Sequence, residues 1–304
     1  MKLAFTKMEG CGNDYVYING FTEKVPQEEK PALVRRLSDR HFGIGGDGVI
    51  FINPAREADF EMEMFNADGT RAEMCGNGIR CVGGYVREHG LTQSDDFTVV
   101  SMGAVKKLHL TMNGTHTESV RVDMGQPILE PALVPTLLRA ADGTAAADTT
   151  GEATRSTTET NAPVIDVPLT VAGKEYRVTC VSMGNPHAVV FLEDGMTPEQ
   201  LDLPAIGPLF ENHEFFPRRT NTEFVQVLSP SHVKMRVWER GTGETLACGT
   251  GCCAIAVAGV LSGRTERKVQ VDVLGGSLLI EWDENGTVWM TGPATTVFEG
   301  TIEI

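Results

Sequence analysis

Apolar and polar residues alternate along much of this chain. Residues 60–65 read Phe-Glu-Met-Glu-Met-Phe, a two-residue period that suits a strand with one buried face. Residues 49–52, 97–100 and 107–112 also read as strands in the first half. Residues 177–181, 188–192, 223–228, 233–238, 269–273, 277–282 and 288–290 do so in the second. Helical signals are fewer. Residues 31–40 open on proline and predict a helix. A second helix is predicted over about 78–89, stopped by Gly90. Residues 252–261 are apolar on every side, so a helix there belongs inside a domain. Mixed strands with two central helices predict an α+β fold.

Residues 139–162 break the pattern. They are mostly Ala, Thr, Asp, Gly, Glu and Ser, with almost no large apolar side chain. Such a segment cannot bury enough surface to offset the entropy of ordering. It predicts a flexible low-complexity insertion near a domain boundary, and 304 residues are enough for two domains with real cores.

An internal repeat joins the two halves. Phe65-Asn66-Ala67-Asp68-Gly69 leads to Cys75-Gly76-Asn77-Gly78, and Trp238-Glu239-Arg240-Gly241 leads to Cys248-Gly249-Thr250-Gly251. The two cysteines stand 173 residues apart. Gly12-Asn13 and Gly184-Asn185 recur at 172, as do Leu37-x-x-x-His41 and Leu209-x-x-x-His213. One duplicated structural unit explains several signals at nearly one offset, and two such halves facing each other would bring both cysteines to one cleft.

A cysteine just before Gly-x-Gly and a helix sits near the positive end of the helix dipole, where free N–H groups favour a thiolate and can bind a carboxylate. Inverting an amino-acid α-carbon needs a base on one face and an acid on the other. Two thiols at two helix starts meet that need, and the N–H groups stabilise the charge that develops as the proton leaves. Cys75 and Cys248 are therefore the predicted catalytic pair, with no cofactor required. Neither a dinucleotide fingerprint nor a phosphate-binding loop is present; the glycine-rich run 43–48 lacks both the spacing and a following helix.

Bulk properties narrow the alternatives. A net charge of −15 disfavours nucleic acid as a partner. The N-terminus has no long apolar core, and no apolar run approaches the roughly 20 residues of a membrane span, which predicts a cytoplasmic protein away from membranes. Seven cysteines, an odd number, argue against a disulfide framework. Cys81, Cys252 and Cys253 read as core residues, Cys11 fits no chemical pattern, and Arg80 and Arg87 read as helix-surface charges.

These motifs resemble the diaminopimelate epimerase family over nearly the whole chain. They are Gly12-Asn13-Asp14, the two cysteine segments, Ser182-Met183-Gly184-Asn185-Pro186-His187, Asn221 and Glu239-Arg240-Gly241. The resemblance implies conversion of LL-2,6-diaminopimelate to the meso form, in lysine and peptidoglycan-precursor synthesis. It implies that Asn13, Gly76, Asn77, Gly249 and Thr250 hold the reacting amino-acid end of the substrate. Asn66, Asn185, Asn221 and Arg240 would hold the distal end, and His187 and Glu239 would lie beside the thiols and tune them, Glu239 also touching substrate.

The resemblance also implies two pseudo-symmetric domains, each a mixed β-barrel-like sheet around a central helix, with the active site between them. The expected domains are 1–127 plus the returning 292–304, and 163–291, with 128–162 as boundary segment and insertion. No cofactor or metal is implied, and a homodimer is. Gly48 stands where some members carry Gln.

Three other readings share parts of this pattern. A two-thiol racemase of proline or hydroxyproline needs no distal Arg and Asn cluster. A metal module on Cys248, Cys252 and Cys253 lacks a second pair of ligands. A silent binding protein on the same fold has no use for an intact cysteine pair.

Overall fold

A computed structural model describes residues 2–72, 75–140 and 161–303. Residues 141–160, the body of the expected insertion, lie outside the described residues. The chain forms two compact units. The first comprises 1–125, 246–249 and 270–304, and the second 126–245 and 250–269.

The first unit opens with β1 (Lys2–Gly10), β2 (Asn13–Asn19), helix α1 (Lys30–Ser38), β3 (Gly48–Pro54) and β4 (Phe60–Asn66). Helix α2 (Gly76–Glu88), β5 (Asp96–Ser101), β6 (Ala104–Asn113) and β7 (His116–Gly125) follow. β1 pairs antiparallel with β2, β2 parallel with β3, and β3 antiparallel with β4. The parallel step needs a crossover, and α1 supplies it. Leu33, Val34 and Leu37 of α1 close over Val16, Ile18, Val49 and Phe51. α2 runs through the centre, buried from Gly76 to Val86.

The second unit repeats this plan with β8 (Val167–Val171), β9 (Lys174–Ser182), β10 (Pro186–Phe191), helix α3 (Leu203–Glu211), β11 (Asn221–Ser229) and β12 (His232–Glu239). A short β13 (Gly243–Thr245) precedes helix α4 (Gly249–Leu261). β9 pairs antiparallel with β10, β10 parallel with β11, and β11 antiparallel with β12, the sequence of pairings seen in β1–β4. The register agrees too: Tyr15 stands opposite Gly48 and His187 opposite Asn221. Phe210 and Phe224 meet edge to face at 5.2 Å in this unit's core. α4 is apolar all round and buried from Gly251 to Gly259, as its composition demands.

The chain then returns through β14 (Lys268–Val273), β15 (Gly276–Trp282), β16 (Val288–Gly292) and β17 (Thr295–Glu303). β17 pairs antiparallel with β1, as β8 does with β9. β16 pairs antiparallel with β7, and β15 with β16. These pairings correct the expected domain limits: the return to the first unit begins at Gln270, not at 292. Residues 270–291 belong with β7 because β16 completes its hydrogen bonding.

Two further differences concern helices. α2 starts at Gly76 rather than Gly78, and α4 at Gly249 rather than Cys252. The residues following each cysteine thus form the first helical turn. α3 was not foreseen. Its sequence, Leu-Pro-Ala-Ile-Gly-Pro-Leu-Phe-Glu, carries two prolines and a glycine. Pro sits in the first turn, where no N–H is needed, and Asp202 caps the start by accepting from the Ala205 N–H.

Candidate active site

Cys75 is the N-cap of α2. Its backbone is extended, and its Sγ accepts the Gly78 N–H at 3.2 Å. The thiol donates to Asn13 Oδ1 at 3.0 Å. The Asn13 amide cannot turn round, because its Nδ2 donates to Asp47 Oδ2 at 2.7 Å. Asp47 is held in turn by Arg40, whose Nη2 lies 2.9 Å from Asp47 Oδ1. Asn13 reaches this position from a left-handed turn: Cys11 has φ 54° and Gly12 φ 81°. Gly184, φ 100°, precedes Asn185 in the same way.

Arg40 also grips Asp14 with both terminal nitrogens, at 2.6 and 3.1 Å, and Lys7 pairs with the same carboxylate. Burial alone would raise the Asp14 pKa. The hydrogen bonds and charges of Arg40 and Lys7 outweigh it and hold the carboxyl below its ordinary range. Tyr15 lies beside Cys75 and Asp47, and burial, reinforced by those two groups, pushes its phenol far above the usual value. Tyr15 therefore stays protonated next to the thiol. The repeat offset puts Tyr15 in the place of His187, a signal that could have found it in the sequence.

Cys248 belongs to the same unit as Cys75 and is buried, 6% exposed. The two helix starts pack against each other. A Cβ placed on Gly249 would meet Gly76 Cα at 3.5 Å and Met290 Sδ at 3.0 Å. Asn77 joins them, its Nδ2 donating to the Ala247 carbonyl at 3.3 Å. The two cysteines thus flank a pair of glycines whose backbones are nearly in contact.

Arg80 anchors this junction and corrects its reading as a surface charge. It is fully buried. Its Nη1 donates to Asn77 Oδ1 at 2.9 Å and to the Gly76 carbonyl at 3.2 Å, and its Nε to the Pro293 carbonyl at 3.1 Å. Among the described residues no carboxylate pairs with it, so the cation faces only neutral acceptors below the helix starts. Arg80→Met should leave these acceptors unpaired and cost about 3 kcal/mol of stability; denaturant unfolding checks this, and an unchanged midpoint would refute the anchoring role.

In the second unit, Asn185 Nδ2 donates to Thr250 Oγ1 at 3.2 Å, and Asn185 Oδ1 faces His187 Nε2 at 3.1 Å. His187 is fully buried, and its Nδ1 lies 2.7 Å from Glu223 Oε1. Asn221 is nearly buried and engaged at both ends of its amide: Nδ2 donates to the Pro186 carbonyl at 2.8 Å, and Oδ1 accepts the Arg240 N–H at 2.9 Å. The Arg240 turn is pinned by Glu211, which accepts from the Gly241 N–H, Arg219 Nη1 and Trp238 Nε1 at 2.7–2.9 Å. Arg240 Nη1 donates to the Arg218 carbonyl at 3.2 Å. Glu239 accepts the Thr245 hydroxyl. In the first unit, Asn66 is exposed and its Nδ2 donates to Thr70 Oγ1 at 3.1 Å.

The remaining thiols are enclosed, and burial raises the pKa of Cys11. Cys81 and Cys180 are wholly enclosed, and burial pushes each up to about 12. Cys252 and Cys253 are fully buried in α4. Among the described residues no group of three His, Cys, Asp or Glu side chains is arranged to hold a metal ion. Gly48 has no room for a side chain, since a Cβ there would stand 2.0 Å from the Phe65 carbonyl oxygen.

Known proteins share this sequence and fold. The family model described as diaminopimelate epimerase matches residues 5–130 and 179–297. A diaminopimelate epimerase of Leptospira biflexa is 48% identical over 305 residues, covering 100% of both chains. One from Agathobacter rectalis is 50% identical over 303 residues, covering 99% of this chain and all of the other. Among solved structures, a hydroxyproline epimerase from Agrobacterium vitis with bound trans-4-hydroxy-L-proline superposes with a TM-score of 0.63. It covers 99% of this chain and 91% of its own at 14% identity, a likeness of fold alone. Full-length identity near one half, with both cysteine segments inside the matched residues, assigns the chain: it belongs to the diaminopimelate epimerase family.

Proposed function

We propose that Cys75 and Cys248 are the acid and base with which this chain converts LL-2,6-diaminopimelate to meso-2,6-diaminopimelate. One thiolate takes the α-proton and becomes a thiol. The other cysteine gives its proton to the opposite face of the carbon and becomes the thiolate. The pair ends with its protonation reversed and is restored by exchange with solvent or by the reverse reaction. The observation that carries this reading is the packing of Gly76 against Gly249, which sets two Cys-Gly helix starts side by side.

The N–H groups of those first turns suit the α-carboxylate, which gains negative charge as the proton leaves. Asn13, Gly76, Asn77, Gly249 and Thr250 are assigned to the reacting end. Asn66, Asn185, Asn221 and Arg240 are assigned to the distal end, where the guanidinium fork meets a carboxylate with two hydrogen bonds. Glu239 is assigned to the substrate and, with His187, to tuning the thiols. Since both ring nitrogens of His187 are engaged, its influence passes through Asn185.

The reaction serves lysine and peptidoglycan-precursor synthesis. A cytoplasmic homodimer working without cofactor completes the proposal; among the described residues no helix is long and apolar enough to cross a membrane. An assay offering LL-diaminopimelate, L-proline and trans-4-hydroxy-L-proline separately tests the substrate. Turnover of diaminopimelate alone is expected. Turnover of the imino acids without diaminopimelate would replace this reading by a proline racemase-like one.

A further inference from the structure

Glu223 is assigned no part in the chemistry above, yet among the described residues it is the most completely buried carboxylate of the second unit. It is 0% exposed, and so is His187, to which it is joined. Its strand neighbours are apolar: Val189 on β10 and Val237 on β12. His187 is flanked by Val181 on β9 and Asn221 on β11. The second oxygen of Glu223 has no hydrogen-bond partner. Among the described residues, the His187 ring is thus the single group that can neutralise this carboxylate.

The ring faces acceptors on both sides. Glu223 Oε1 is 2.7 Å from Nδ1, and Asn185 Oδ1 is 3.1 Å from Nε2, while the Asn185 amide nitrogen is committed to Thr250 Oγ1. An imidazole that donates from both nitrogens carries a positive charge. A charged ring sealed from water needs an anion beside it. We propose that Glu223 is a positioning residue that keeps His187 as a buried imidazolium, and so fixes Asn185 with its oxygen toward the ring and its nitrogen toward Thr250.

The string Glu223–His187–Asn185–Thr250 ends two residues after Cys248, at the first turn of α4. Its effect is to hold Asn185 and Thr250 in one orientation before substrate arrives, the task a carboxylate performs behind a catalytic imidazole. Asn221 shares the Glu223 face of β11, but its amide is satisfied by backbone groups, so it offers the ring no competing partner. The consequence for turnover rests on the epimerase reading. The state of the ring does not, and is measured without substrate.

Nitrogen-15 NMR of the full chain carrying labelled histidine reads that state at pH 7.5. In the wild type both His187 ring nitrogens should be protonated, with the signal assigned by its loss in H187Q. In E223Q one ring nitrogen should become unprotonated, and kcat/KM for diaminopimelate should fall by at least about tenfold. The wild-type spectrum keeps the proposal falsifiable even if E223Q fails to fold. A wild-type His187 ring with one bare nitrogen would overturn it, and so would an E223Q protein whose ring signals and kcat/KM match the wild type. A charged ring in a protein inactive on diaminopimelate would support the proposal and refute the substrate reading instead.

Discussion

Replacing either Cys75 or Cys248 with alanine is expected to abolish epimerisation, with kcat falling by about a thousandfold or more. Each substitution deletes the base for one direction and the acid for the other, so neither direction survives. The fold should tolerate both changes. Cys75 is only half-buried at the helix cap, and Cys248 contributes a small side chain beside a glycine–glycine contact. Circular dichroism and the unfolding midpoint should stay close to those of the wild type, which separates loss of chemistry from loss of structure. Full activity in either variant would remove the two-thiol mechanism.

Arg240→Met should raise KM for diaminopimelate by about a hundredfold while changing kcat much less. If Arg240 holds the distal carboxylate as proposed, the substitution removes a charge-assisted, two-point contact worth about 3 kcal/mol. The turn that presents Arg240 is built from other groups: Glu211 holds the Gly241 N–H, and Asn221 holds the Arg240 N–H. Its guanidinium pairs with no carboxylate among the described residues and meets only the Arg218 carbonyl. The variant should therefore keep its stability and its proton-transfer groups. Steady-state kinetics decide the matter, and a KM unchanged within twofold would take the distal carboxylate away from Arg240.

The repeat was the most informative feature of the sequence because it is carried by side chains whose chemistry demands particular backbones. Cys-Gly-x-Gly needs a helix start, and Gly12-Asn13 and Gly184-Asn185 need left-handed turns; all are present at matching places. Strands were legible from alternation, as in β4, but β4 is buried on both faces: Glu63 is enclosed and paired with Lys30, and Phe65 packs in the core with α1. What escaped had physical causes. α3 is short and held by its cap and by packing of Phe210, so its prolines and glycine hid it from propensity. The repeat contains the missing signal, because Leu209 of α3 corresponds to Leu37 of α1 at the offset of 172.

Arg80 reads as a surface charge in sequence because periodicity cannot separate an exposed charge from a buried one when the whole helix is enclosed. Only its partners, Asn77, Gly76 and Pro293, reveal its place. Glu223 is hidden in the same way, since a polar residue in a strand carries no sequence mark of burial on both faces. The domain limit was set too late because pairing between β16 and β7 joins residues about 170 positions apart, a connection that no local pattern encodes.

Proton transfer in heavy water tests the central claim most directly. LL-diaminopimelate incubated with the enzyme in D2O, and sampled while conversion is low, should yield meso product carrying solvent deuterium at the inverted carbon. The remaining LL substrate should still carry its own hydrogen, because the group that takes the proton is not the group that gives one. Meso product that retains the substrate's hydrogen would show a single base swinging between the two faces, and would contradict the pairing of Cys75 with Cys248.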